Sequence, residues 1–398
     1  MTMLETHPTV SRLLTAPAGT PRHRNQDELV GLAQQVRLLG RGGAGFPVAT
    51  KLAAMPRGRA VQVLVNGSES EPASQKDRTL MRQAPHLVLD GALLVARALD
   101  TRHVTVLVHD PGATDALTRA VRERSDASRV RVVAHAGGFV SGEVRAAIRL
   151  VDGAPAVPPG RRVLPHESGV GGAPTFASNV ETFAQLALLS SLGADGYAAI
   201  GSAAEPGTTL LTLVGDVSGP GVVEVPTGLP LAALLPGQDT DPRPVLIGGY
   251  HGSWVSDIRD LRVERPGLRE AGLPLNAGVV ARLSNDTCAL AEVVAVSTWL
   301  AGQSAGQCGP CFFGLPAVAR DAYALLHGRP STADLDRRVA QLPGRGACAH
   351  PDGAAMFIRT ALTTMTAEVE EHRRHGTCGR PWLQELPTGP APAVRSAS

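Results

Sequence analysis

Three short aliphatic runs limit what this chain can fold into more than any other feature: VQVLVNG at 61–67, HVTVLVHD at 103–110 and RVRVVA at 129–134. Helical apolar spacing separates them, over Leu80 to Leu99 and again in ATDALTRAVRER. Strand and helix in alternation predict an α/β layer with a largely parallel sheet, because parallel neighbours need a crossover that a helix supplies. Ligands of such layers bind in loops at the carboxyl ends of the strands. The loop NGSESEP leaves the first run directly.

From about 205 the pattern changes to short strands with Gly and Pro turns: TTLLTLVGDVSGPGVVEVPTG, a short helix near Leu229 to Leu235, then PVLIGG. This predicts a small α+β module of the β-grasp kind over 201–283. After 284 the spacing is helical, with segments near 288–302, 313–327, 332–341 and 353–372. Cysteine loops break these segments, so 284–380 reads as a helical bundle with cysteines at its helix ends. Residues 1–25 read as a loosely ordered arm, and 381–398 as a disordered tail with a Pro/Ala end.

The 398 residues can fill two or three domains, and 43% hydrophobic against 19% charged residues suits a globular chain. A net charge of +2 with dispersed basic residues argues against nucleic acid. No run of about 18 uncharged apolar residues occurs, so direct membrane insertion is not expected. The start MTMLETHPTV lacks the basic and apolar regions of a signal peptide. The expected location is cytoplasmic, free or peripheral to a membrane-bound partner.

Gly40, Gly42 and Gly45 fit the dinucleotide pattern G-x-G-x-x-G, which needs a strand before it and a helix after it. Here Asp27 to Leu39 has helical spacing, and Phe46-Pro47 interrupts the stretch behind the glycines. With Gly43, these glycines either admit a planar or phosphorylated ligand close to the backbone or form a structural turn. Of the 38 basic residues 36 are arginine, and the lysines are Lys51 and Lys76. A lysine kept in such a chain marks a place that needs a compact ammonium, or survives by chance on the surface. Glu69 and Glu71 alternate around Ser70; in an extended loop they would share one side and accept bonds from ribose or amide groups, or stay solvated. All five cysteines, Cys288, Cys308, Cys311, Cys348 and Cys378, lie in the last third, a distribution that fits metal or redox chemistry better than disulfides.

Taken in order, the glycine loop, VNGSESEPASQKDR, GGFVSGEV, SGVGGAPTFASNVETFAQL, DTCALAEV, GQCGPCFFGLP and GACAHPDG resemble the flavin- and NADH-binding subunit of respiratory complex I. The same blocks resemble the diaphorase subunits of NAD-linked hydrogenases and formate dehydrogenases. The resemblance implies a Rossmann-like FMN domain over 26–200, the β-grasp module, and a bundle holding a [4Fe–4S] cluster. It implies hydride transfer from NAD(H) to FMN and one-electron exit through the cluster to a ferredoxin or another electron-transfer subunit. Gly40, Gly42, Gly43 and Gly45 would then cradle FMN, with Lys51, Asn66, Gly142, Glu143, Asn179 and Thr182 as further flavin contacts. Phe46, Glu69, Glu71 and Phe139 would face the nicotinamide nucleotide, and Glu69 and Glu143 would be the catalytic carboxylates. Lys76 falls in a matched K-D-R.

The chain departs from the family at Ser68 for Asp, Ser178 for Asn, Phe139 for Tyr and Val144 for Glu. Two aromatic residues that enclose adenine match Ala54 and Leu164, and a nearby Lys matches Arg161. Stacking surfaces contribute about 0.5–1.5 kcal/mol each, so their loss would weaken NADH binding by about tenfold or more. The family's C-x-x-C-x-x-C becomes Ala305-x-x-Cys308-x-x-Cys311, with Cys348 as the distant ligand. A cluster normally takes four thiolates, and Cys378 is expected to fold back as the fourth, ahead of His350 or Ser304. Cys288 matches a family cysteine that is not a ligand, packed in a helix. Two rival readings remain: an NAD-independent flavin relay between ferredoxin-like proteins, and a binding module with vestigial cofactor sites.

Overall fold

A computed structural model describes residues 11–15, 22, 24–56, 60–160, 163–217, 219–238, 243–329 and 332–389. The chain enters through α1 (Gln26–Gln35), started by a capping box between Asn25 and Glu28, and α2 (Val48–Ala53). Then follow β1 (Gln62–Gly67), α3 (Lys76–Gln83), α4 (Pro85–Ala98), β2 (His103–Val108), α5 (Pro111–Arg122) and β3 (Val130–Ala134). The layer closes with α6 (Val144–Val151), β4 (Thr175–Asn179) and α7 (Val180–Ala198). The strands pair in the order β3-β2-β1-β4, every pair parallel, as the alternation predicts. Such strands need cover on both faces: Val63 and Val65 pack with α4 and α7, while Leu64 packs with Ala147 and Ile148 of α6.

From β1 the chain runs outward to β3 and then returns to the far side of β1 as β4. The crevice between β1 and β4 is therefore the point where the winding reverses, the place where open parallel sheets bind ligands. The helix expected over 80–99 is two helices, because Pro85 has no N–H and drives Ala84 to φ −130° and ψ 52°. Close crossing of α4 and α7 requires Gly91, where a Cβ would lie 1.8 Å from the Phe183 carbonyl oxygen.

The second sheet holds β5 (Thr208–Gly215), β6 (Gly221–Pro226), β7 (Val245–Ile247), β8 (Ser253–Val255) and β9 (Val279–Arg282), in the order β6-β5-β9-β7-β8. Its β5/β9 pair is parallel and the others antiparallel, and α8 (Arg265–Glu270) packs at its side. The short helix expected near 229–235 is a single turn, Leu231–Leu234. Helices α9 (Ala289–Gly302), α10 (Leu315–Leu326), α11 (Thr332–Ala340), α12 (His350–Thr364) and α13 (Thr366–His375) complete the chain, the last two replacing the one segment expected over 353–372.

Both expected loose ends carry packed portions. Leu13 is fully buried, and Glu224 of β6 accepts the N–H groups of Arg12 and Leu13 at 2.9 and 2.8 Å. At the other end Leu386 is buried, and the Glu292 carboxylate accepts the amides of Glu385 and Leu386 at 2.9 and 3.2 Å. In each case a buried carboxylate on a packed element draws in backbone donors that would otherwise be solvated. Residues 1–10, 16–21, 23 and 390–398 lie outside the described residues. No described helix is long and apolar enough to cross a membrane.

Candidate functional site

The glycine loop is closed by a bridge between Leu39 and Pro47 and by the Gly40 N–H, which donates to the Phe46 carbonyl at 2.9 Å. It joins two helices, so it is not a strand-to-helix fingerprint. Two contacts hold it over the β1–β4 crevice. The Arg41 N–H donates to Thr182 Oγ1 at 2.9 Å, and Gly42 lies against Asn179, where an added Cβ would make ordinary contact at 3.5 Å from the asparagine's own. Gly45, at φ +50°, turns the chain so that Arg269 can donate to the Ala44 carbonyl at 2.8 Å. Gly43 has open space where a Cβ would stand, and Phe46 is 47% exposed.

The two lysines separate completely. Lys76 is buried and its Nζ lies 2.6 Å from Asp77 Oδ1 and 3.0 Å from Glu181 Oε2, so it belongs to the framework. Lys51 on α2 donates to the Ala177 carbonyl of β4 at 3.0 Å, and among the described residues no carboxylate pairs with it. Burial lowers its pKa. An ammonium in that setting is stabilised by an anion or an electron-rich ring in the crevice beside it.

Behind the glycine loop runs a buried ionic network that sequence reading did not find. Glu205 bonds the guanidiniums of Arg41 and Arg265, the latter at 2.7 Å, and accepts the Arg265 N–H at 2.6 Å. Glu181 accepts from Thr209 Oγ1 and the Leu210 amide, both at 3.1 Å, and thereby ties α7 to β5. Nothing in a linear sequence separates these charges from solvated ones.

The acidic loop is built differently from the expected open row of carboxylates. Glu69 caps α3: its Oε1 accepts from Ser74 Oγ and the Asp77 amide at 2.7 and 2.9 Å, and its Oε2 from the Arg78 amide and Nε, both at 3.0 Å. Glu71 points instead toward the second sheet, where the Tyr250 amide donates to it at 2.9 Å. The tight turn after Gly67 spends both side chains on the backbone rather than on solvent. Asn66 Nδ2 donates to the Gly142 carbonyl at 3.0 Å, and Ser70 Oγ to the Phe139 carbonyl at 2.6 Å, which fastens the Phe139–Gly142 turn to this loop. Ser68 Oγ lies 2.7 Å from His135 Nε2. The Gly137 amide donates to His135 Nδ1 at 3.0 Å, so Nε2 carries the proton. Burial, with His109 adding, lowers His135 to about 4 and keeps it neutral.

Burial raises the Glu71 pKa to about 8, against the two backbone donors. Its folded value lies above the ordinary 4.5, so the stability linked to its proton is full below 4.5 and is lost as pH rises through about 8. Glu71→Gln is expected to flatten the fall in melting temperature between those pH values, measured on flavin-free protein by thermal scans. An unchanged slope would show that Glu71 is ionised in the folded chain.

Asn179 caps α7 through the Glu181 amide at 2.9 Å and donates to Asp77 Oδ2 at 2.6 Å. Glu143 caps α6, accepting the amides of Arg145 and Ala146 at 3.0 and 3.1 Å. Phe139 meets the rings of His251, Trp299 and His350 at 4.7, 5.3 and 5.5 Å, an apolar wall that continues to the cysteine helices. Ala54 and Leu164, the latter 53% exposed, supply no aromatic surface, and Arg161 lies outside the described residues.

Cys308 precedes, and Cys311 lies within, the wide turn Pro310–Gly314 that opens α10, with their sulfurs 3.4 Å apart. Burial opposes ionisation of Cys308, but the Ala347 and Cys311 amides outweigh it and lower its pKa. The same Ala347 amide brings the Cys348 loop against this turn. Cys348 is raised by burial, and the neighbouring Cys311, Glu143 and Cys308 add to the rise. Cys308 and Cys311 thus lie together with Cys348 in their neighbourhood, three of the four thiolates that an iron–sulfur cluster normally takes. Cys378 is not the fourth: it packs with Cys288, Glu368 and His372, because the turn after α13 folds back onto the start of α9. His350 is committed elsewhere, with His251 at 3.0 Å on Nδ1 and the Leu300 carbonyl at 3.0 Å on Nε2. The signal for the second group was present as Glu368 and His372 four residues apart, one helical turn, with Cys378 shortly after.

Residues 33–188 match the Nuo51 FMN-binding domain, and residues 291–372 match the NADH-ubiquinone oxidoreductase-F iron-sulfur binding region. The chain is 30% identical over 376 residues to the F-type subunit of NADH-quinone oxidoreductase from Streptomyces coelicolor, covering 87% of this chain and 83% of that one. To the corresponding protein of Salmonella typhimurium it is 29% identical over 374 residues, covering 86% and 84%. A chain of an NAD+-reducing [NiFe]-hydrogenase in the air-oxidized state shares the fold with a TM-score of 0.81 at 26% identity, over 91% of this chain and 66% of that one. This chain thus spans just under two thirds of that hydrogenase chain. Identity sustained through both matched regions and over most of these two relatives places the chain in the family of F-type NADH-quinone oxidoreductase subunits, as an FMN- and iron–sulfur-dependent oxidoreductase.

Proposed function

We propose that this chain is the electron-entry subunit of an NAD(P)H-dependent system, with FMN in the β1–β4 crevice, a cluster at Cys308, Cys311 and Cys348, and a ferredoxin or partner subunit as acceptor. The observation that carries the reading is Lys51, a partly buried ammonium beside a loop of glycines with no carboxylate partner among the described residues. The Ser141 hydroxyl, buried and unpartnered on the neighbouring turn, is a second polar group awaiting a ligand. When bound, FMN supplies two-electron acceptance and one-electron release. Lys51 and the Gly40–Gly45 backbone would hold it, Thr182 and Asn179 would keep that loop in place, and Asn66 would fix the turn carrying Gly142 and Glu143. Phe139 and its ring neighbours would keep water from the space between the crevice and Cys348.

In this reading Glu69 and Glu143 act as positioning residues, since both carboxylates cap helices. We read the second sheet as the family's β-grasp module and α9–α13 as its cluster-bearing bundle, in a protein of the cytoplasm or of a membrane's inner face. A second reading, a flavin relay fed by a reduced ferredoxin, draws support from the exposed Leu164 and from the occupied carboxylates of Glu69 and Glu71. Anaerobically purified chain should show a flavin band that bleaches on adding NADH. A band that ignores NADH and NADPH but bleaches with reduced ferredoxin selects the relay, and a colourless protein ends both readings.

A further inference from the structure

Cys288, Glu368, His372 and Cys378 each bring one donor atom within 4.8 Å of the others. We propose that they hold a single tetrahedral divalent metal of the zinc class, separate from the three cluster cysteines, which staples the C-terminal segment to the start of α9. The Cys288 sulfur lies 3.2 Å from His372 Nε2 and 3.4 Å from Glu368 Oε1, and the Cys378 sulfur 3.9 Å from that same oxygen. Zinc bonds of about 2.0–2.3 Å at tetrahedral angles separate donor atoms by about 3.3–3.8 Å, so small movements seat the metal.

Three of the four ligands are already oriented by a second bond, as metal ligands usually are. His372 Nδ1 lies 2.7 Å from the Leu326 carbonyl, which puts the proton there and leaves the lone pair of Nε2 facing Cys288. The Leu290 amide donates to Glu368 Oε1 at 2.8 Å, and the Arg380 guanidinium bonds Oε2. Cys288 caps α9, its sulfur accepting the Ala291 amide at 3.3 Å, while burial raises its thiol, so a metal bound there displaces a proton. Two thiolates and a carboxylate exceed a divalent cation by one negative charge, and Arg380 offsets it. On binding, the thiol protons pass to solvent.

The donors come from two stretches, with Cys288 lying 80 residues before Glu368 in sequence. Glu368 and His372 share one face of α13, Gly376 at φ +72° ends that helix in the left-handed conformation, and Cys378 then returns toward Cys288. The Cys288 amide donates to the Pro381 carbonyl at 2.7 Å, so the returning strand is already in place. A cleft of about 380 Å³, lined in part by Thr287, Ala289, Glu368, Cys378 and Arg380, gives a metal ion its way in.

Elemental analysis of the full-length chain, purified without chelators and incubated with Zn²⁺, should find about one zinc per chain in addition to iron. Cys378→Ser and His372→Gln should each lower zinc by about tenfold or more. A Cys308→Ser/Cys311→Ser double variant should lose iron and keep zinc. Cys378→His restores a four-donor set and should retain zinc, which separates ligand loss from unfolding. The proposal is overturned by wild-type chain that takes up no zinc, by zinc that leaves with Cys308 and Cys311 instead, or by a Cys288–Cys378 disulfide in place of two titratable thiols.

Discussion

Glu205→Ala is expected to destabilise the flavin-free chain by about 3–5 kcal/mol, because it strands two buried guanidiniums. Glu205 is 2% exposed and takes the charge of Arg41 and Arg265, which are 0% and 5% exposed. A buried ion pair adds little net stability over an apolar replacement, whereas removing one partner leaves uncompensated charge, and that asymmetry sets the magnitude. Burial alone would raise the Glu205 pKa, but Arg265 and Arg41 outweigh it and bring it to about 2. The folded value lies below the ordinary 4.5, so this contribution is present above pH 4.5 and is lost as pH falls toward 2. Urea unfolding at neutral pH measures the loss, and acid titration of both chains should show a shallower decline for the variant. A variant within about 0.5 kcal/mol of the parent, the range of ordinary surface changes, would mean the network is not formed.

Lys51→Met is expected to move two readouts in opposite directions. The flavin-free chain gains thermal stability, because a partly buried ammonium with no carboxylate partner among the described residues is removed. Flavin affinity falls by about 10- to 150-fold, the loss of one charge-assisted bond of about 1.5–3 kcal/mol. Burial lowers the Lys51 pKa below 10.5, so the unfolded chain binds more protons there and parental stability rises as pH approaches 10.5; the variant should lack that rise. Scanning fluorimetry and fluorescence titration with FMN measure the two quantities. A variant that binds FMN normally and unfolds more easily would make Lys51 a framework residue like Lys76, whose own replacement should only destabilise.

Three strands of the parallel layer were legible from VQVLVNG, HVTVLVHD and RVRVVA, because β-branched runs between helical patterns admit few other pairings; β4, Thr175–Asn179, was not, since TFASN carries no aliphatic run. The hairpin β5–β6 and the helices around the cysteines were legible for the same reason of periodicity. Boundaries at Ala84-Pro85 and at Met365 were less so, since apolar spacing runs through a break in the backbone. The grouping of Cys308 and Cys311 with Cys348 came from the resemblance of their blocks to the family's, and the structure brings the first two sulfurs together.

What the linear pattern determined is therefore the periodic part of this protein: which segments are strands, which are helices, and which loops leave the strand ends that form the crevice. What only the tertiary structure decided is how each polar group there is used. Lys51 and Lys76 look alike as letters, but Lys76 meets Asp77 and Glu181 while Lys51 meets no carboxylate among the described residues. Glu69 and Glu71 alternate as an open pair would, yet one caps a helix and the other joins the second sheet. Cys378 lies in sequence within reach of the cluster, and the left-handed turn at Gly376 carries it to Cys288. Periodicity is local and survives in one dimension; the partner of a buried charge or thiol is set by contacts between residues far apart in the chain.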